Sequence, residues 1–129
     1  MPNKLKRVIP AFICFAFICW VILQANAGAN TVFFNIVAAL PYGDKLGHIM
    51  LYGVLTLLLN IALGFKIISL AKVKVSVAAS LVLFFSVGEE ITQAFIPNRN
   101  FDILDLIADG VGILLFNGLS IRYVKENRT

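Results

Sequence analysis

Charge is what this 129-residue sequence lacks most: Asp, Glu, Lys and Arg make up 14% of it, against about 25% in soluble domains. With 60% hydrophobic residues, it has too little polar surface to coat a soluble core, so it reads as one membrane domain, residues 1–129. Cysteine is nearly missing. Cys14 and Cys19 point to different faces of a helix, which argues against a disulfide framework. The single histidine, His48, has no cysteine near it, which argues against zinc. HExxH, a nucleophilic-serine motif and a phosphate-cradling glycine loop are all absent. So are internal repeats, low-complexity tracts and any basic–aromatic motif for nucleic acid. The net charge of +4 therefore bears on membrane topology.

What is present is apolar and long. Spans are expected near 8–24, 46–65, 74–96 and 102–121, since crossing takes about 20 apolar residues. The last two reach that length only by including Glu89, Glu90 and Gln93, or Asp105 and Asp109. Nine of the eleven basic residues fall on one side: Lys4, Lys6 and Arg7; Lys66, Lys72 and Lys74; Arg122, Lys125 and Arg128. Lys45 and Arg99 alone fall on the other, and of the acidic residues only Glu126 joins the nine. The positive-inside rule puts the nine in the cytoplasm. The expected fold is all-α: a four-transmembrane-helix bundle, N-in/C-in, multi-pass in the cell membrane. The apolar "TVFFNIVAAL" is too short to cross and is expected to lie on the outer face. A rival reading makes the first run a signal peptide ending at "ANA", but its sixteen apolar residues are long for such a core and suit a span.

The sparse polar groups gather at one depth. With a rise of about 1.5 Å per residue, Glu90 lies roughly 22 Å above the cytoplasmic edge, Asp109 roughly 18 Å, Asp105 roughly 24 Å and His48 roughly 25 Å. They also share faces. Asp44, His48 and Tyr52 are one turn apart, Glu89 and Glu90 sit one turn before Gln93, and Asp102, Asp105 and Asp109 form a narrow stripe. Such groups face one another, Lys45 and Arg99 rather than lipid. Ala108 and Gly112 beside the stripe allow a close helix approach. Asp44 and Asp102 also suit helix N-caps, whereas Glu90, Asp105 and Asp109 lie too deep for that.

Three motifs, "DKLGH", "EITQAFIPNR" and "DILDLIADGVG", resemble the VanZ-like family of small membrane proteins over residues 41–118. The resemblance implies as functional positions Asp44, Lys45 and His48, then Glu90 and Gln93, then Pro97 and Arg99, then Asp105. The polar residue after Asp105 is usually asparagine in that family; here it is Asp109. The founding member is associated with teicoplanin resistance, and the resemblance transfers no reaction to this chain.

The expected function is to bind a cell-envelope lipid or lipid-linked precursor at an outward polar pocket formed by Asp44, Lys45, His48, Glu90, Gln93, Arg99, Asp105 and Asp109. Lys45 and Arg99 would meet an anionic group. One alternative is an intramembrane enzyme with His48, Glu90 or Asp105 as acid or base; another is a structural clamp. No cofactor is expected, and a divalent cation there would be Mg²⁺ or Ca²⁺ rather than Zn²⁺. The partners are the bilayer and the envelope ligand, not nucleic acid.

Overall fold

A computed structural model describes residues 2–28, 32–39, 41, 43–70, 72–97 and 102–127. Among the expected site residues, Arg99 and the side chain of Asp44 lie outside this description, as do the side chains of Lys4, Lys125, Glu126 and Arg128. Five helices and one hairpin follow in order: α1 Pro2–Asn26, α2 Val32–Ala39, α3 Gly43–Ala62, β1 Ile67–Leu70, β2 Val73–Ser76, α4 Val77–Gln93 and α5 Ile103–Asn127. Stretches of α1 (Leu5–Asn26), α3 (Lys45–Ala62) and α5 (Ile103–Tyr123) are long and apolar enough to cross a membrane. The short α2 is the apolar segment between the first two long helices, and it packs on α3.

Helix α3 is the hub, packed on α1, α4 and most extensively on α5. Contacts give the directions. Lys45 meets Asp105, His48 meets Asp109 and Asn60 meets Asn117, so α3 and α5 run parallel. Ser86 meets Asp109 while Ser76 meets Asn117, so α4 runs against α5. The buried interior joins Ile18 of α1, Tyr52 and Leu55 of α3, Ala79 and Val82 of α4, and Ile113 of α5. Gly112 sets the α3–α5 crossing: a Cβ there would lie 2.9 Å from Ile49 Cα.

One expected boundary is overturned. The third long helix does not begin near residue 74: residues 67–76 form an antiparallel hairpin pairing Ile67 with Ser76 and Ile68 with Val75. The alternation in "VKVS" has a period of two, which suits a strand. Helix α3 stops in a Schellman turn, with Gly64 at φ +69 and Phe65 N–H donating to Asn60 O at 2.8 Å. Ser76 then caps α4 by accepting from Ala79 N–H at 2.9 Å. The resulting 17-residue α4 rises only about 25 Å, somewhat less than the roughly 30 Å of a hydrocarbon core.

Neutral polar groups tie the hairpin end of the bundle. Asn117 Oδ1 accepts from Asn60 Nδ2 at 3.0 Å and from Ser76 Oγ at 2.7 Å. Asn60 and Ser76 are both 1% exposed. Three helices are thus fastened without any charge.

Candidate functional site

The opposite end holds the ionisable groups. Helix α3 begins at Gly43, so Asp44 stands inside its first turn; Lys45 and His48, three residues apart, share one side of the helix. On α4, Ser86, Glu89, Glu90 and Gln93 are all buried and share one face at i, i+3, i+4 and i+7. On α5, Asp105 and Asp109 are buried and turned toward α3 and α4.

Asp109, wholly buried, is the junction of the three helices. Its Oδ1 lies 2.7 Å from His48 Nδ1, and its Oδ2 accepts from Ser86 Oγ at 2.6 Å. With Asp109 as the acceptor, the Nδ1 hydrogen of His48 points at it and the contact fixes the ring. His48 Nε2 then faces Asp105 Oδ1 at 3.9 Å. The imidazole also stacks on the buried ring of Tyr52, with planes 8° apart.

Lys45 Nζ donates to Asp105 Oδ1 and, at 2.8 Å, to Asp102 Oδ2. Asp102 also caps α5, its Oδ1 accepting from Leu104 N–H at 2.9 Å, and its own N–H donates to Glu90 Oε1 at 3.1 Å. Gln93 Nε2 turns back to Glu89 Oε2 at 2.6 Å. Glu90 Oε2 is buried with no hydrogen-bond partner among the described residues.

Asp102 stands just before the apolar part of α5 and is half-buried, its side chain 40% exposed. Its hydrogen bond from Lys45, helped by that from Leu104 N–H, holds its carboxyl below the ordinary carboxylate range. A lowered folded value means that the pairing stabilises the fold above the unfolded pKa of about 3.9 and is lost as pH falls through the folded value. A carboxyl-carbon NMR titration should find the Asp102 midpoint below about 3.9, and Lys45→Met should raise it. An unmoved midpoint would remove Lys45 as the cause.

The structure thus brings together six of the expected residues: Lys45, His48, Glu90, Gln93, Asp105 and Asp109. Two residues outside the expected set belong with them. Glu89 binds Gln93, and Ser86 holds Asp109. The signal for Ser86 was its place on the face of Glu89, Glu90 and Gln93. Among the described residues, no group of three or more His, Cys, Asp or Glu side chains could hold a metal ion. These polar groups bond largely to one another, and open space lies beside them instead, in apolar grooves along α1 and α4.

No solved structure matches the chain. An uncharacterised protein of Schizosaccharomyces pombe is 28% identical over 128 residues, which cover 98% of this chain and 73% of that one. Residues 5–123 match the VanZ/LLP1 family. That range takes in α2, α3 and α4 whole, most of α1 and α5, and every residue of the polar network, and on that ground this protein is a member of the VanZ/LLP1 family.

Proposed function

We propose that this protein binds a lipid of the cell envelope, with the network at the start of α3 and α5 recognising the lipid's polar part. The positive-inside distribution puts that end of the bundle on the outer face of the membrane. The observation that carries the reading is the contrast between the two ends. At the hairpin end, three neutral side chains clamp three helices. At the other end the same task would be met by Glu89, Glu90, Asp105, Asp109, His48 and Lys45. Buried ions repay their desolvation poorly, and ionisable groups within membrane helices mark ligand or ion sites. Glu90 Oε2, unmet among the described residues, adds to this, since a clamp alone gains nothing from a buried acceptor left unmet. Among the described residues of the network, Lys45 is the reachable cation, its side chain 26% exposed.

A second reading is favoured by the His48–Asp109 pair. A ring fixed through Nδ1 by a carboxylate, with Nε2 turned to the outer side, is arranged for general acid–base work. It would make the bound lipid a substrate.

Native mass spectrometry of the protein released gently from its own membrane tests the binding. Wild type is expected to retain a defined lipid. Lys45→Gln and Asp105→Asn, both checked for folding, should lose most of it. Equal retention in all three proteins, or none in wild type, would sink the proposal. If His48→Gln keeps the lipid but stops its conversion, the second reading holds.

A further inference from the structure

Helix α1 packs on α3, and α3 on α4, but α1 and α4 barely touch each other. Phe15 and Phe85 bridge the gap edge-on, with ring centroids 5.1 Å apart. On either side of Phe85 the gap stays open. Toward the hairpin lies a groove of about 330 Å³ between Val8 and Phe12 of α1, Leu59 and Ala62 of α3, and Leu81 and Val82 of α4. Toward the polar network lies another of about 580 Å³, between Cys19, Ile22 and Leu23 of α1 and Phe84, Gly88 and Thr92 of α4. Phe85 lines both, and Glu89 closes the second at the network end.

We propose that this seam holds one acyl chain of the lipid whose polar part the network recognises; the inference rests on that reading. Three observations identify the occupant. The walls are apolar from Leu81 to Gly88, and on α4 polar side chains appear only at Glu89 and Thr92. A molecule that fits must therefore be apolar along its length and polar at one end. The lining runs about 16 Å along α4, from Leu81 to Thr92, and about 22 Å along α1, from Val8 to Leu23, both within the roughly 30 Å of a hydrocarbon core and both of the length of an acyl chain. Lastly, Glu89 couples the seam to the network: its Oε2 accepts from Gln93, one turn along α4 and buried beside Glu90. A chain entering sideways from the leaflet would thus bring its headgroup against Gln93, Glu89 and, beyond them, Lys45.

Gly88 makes the test clean. It is exposed, and a Cβ there would meet nothing within 4 Å. Gly88→Phe should fill the seam without disturbing the packing, and it removes a helix-weakening glycine. Gly118→Phe is the control, because its Cβ also meets nothing and it lies on α5, away from the seam. The full-length protein is placed in phosphatidylcholine nanodiscs containing phosphatidylglycerol with a photoreactive diazirine midway along one chain. After illumination, adducts are mapped by peptide mass spectrometry. Adducts should concentrate on Phe12, Cys19, Phe84 and Phe85 and fall several-fold in Gly88→Phe, with thermal unfolding unchanged, while Gly118→Phe matches wild type. Adducts spread equally over Leu114 and Leu115 of α5, or undiminished in Gly88→Phe, would overturn the seam. The binding reading would survive that result if native mass spectrometry still found a network-dependent lipid. Failure of wild type to retain any lipid overturns both.

Discussion

Replacing Gly112 by alanine should cost this protein about 3 kcal/mol or more, the upper end of what an extra core methyl does. The reason is that the obstacle is backbone. The new Cβ would lie 2.9 Å from both Cα and the carbonyl carbon of Ile49. No rotamer change relieves that contact, so α3 and α5 must separate. Separation is expensive because this crossing also sets His48 against Asp109 and Lys45 against Asp105. Small residues let membrane helices approach closely, and the packing gained there is a main source of their association. Gly53 supplies the graded comparison. Its Cβ would lie 2.7 Å from Phe116 Cε1 and 3.0 Å from Gly112 O. A ring can swing aside, so Gly53→Ala should cost less than Gly112→Ala. Gly110→Ala, which meets nothing, should be neutral or slightly stabilising, since glycine weakens a helix by roughly 0.5–1 kcal/mol relative to alanine. Thermal unfolding in one detergent ranks the three. A Gly112→Ala loss below about 1 kcal/mol would mean that the helices do not touch as closely as described.

The second large effect is expected at Asp109, and there the identity of the replacement decides the outcome. Asp109→Ala leaves Ser86 Oγ and His48 Nδ1 without their acceptor in a wholly buried position. Removing one member of a buried charged pair typically costs about 3–5 kcal/mol. Asp109→Asn should instead stay within about 1 kcal/mol of wild type. Its carbonyl oxygen can accept from His48 Nδ1–H, and its amide can donate to the Ser86 hydroxyl, which turns to accept. Asparagine is also the residue that the VanZ-like pattern usually carries after the aspartate corresponding to Asp105. The two variants thus separate folding from chemistry. If the network only binds, Asp109→Asn keeps both fold and lipid. If His48 works as an acid or base, the same variant keeps the lipid and loses conversion, because the carboxylate that supports a charged imidazole is gone. Calorimetric or optical melting together with lipid retention reads both. An alanine variant as stable as wild type would show that the three-helix junction does not carry the load assigned to it.

Much of this was legible along the chain. Hydropathy is a sum over neighbouring residues, so the apolar runs of α1, α3 and α5 stand out without any tertiary knowledge. Helical period is equally local: Asp102, Asp105 and Asp109 fall on one stripe, and His48 lies one turn from Tyr52, because 3.6 residues make a turn. Charge separation by side needs only counting. Depth along each helix then predicts that Glu90, Asp105, Asp109 and His48 share one slab, and three of those four are joined directly or through His48.

The partners were not legible. Lys45 reaches residues 57 and 60 positions away, and which carboxylate it meets depends on how far α3 and α5 are rotated about their own axes. The backbone contact at Gly112 decides that rotation. Ser86 drew no notice because a serine in an apolar run is ordinary until a buried carboxylate is set opposite it. The second strand of the hairpin was read as helix because "VKVSVAAS" is apolar enough to extend a span; its strand pairing depends on Gly64 and Phe65 turning the chain back, so that residues 67–70 and 73–76 meet. The seam between α1 and α4 has no signature in sequence at all, since a groove is made where two helices pack apart from each other. Local patterning determined what this protein puts in the membrane and at what depth. The three-dimensional packing of α3 against its neighbours decided which groups meet and where space is left open.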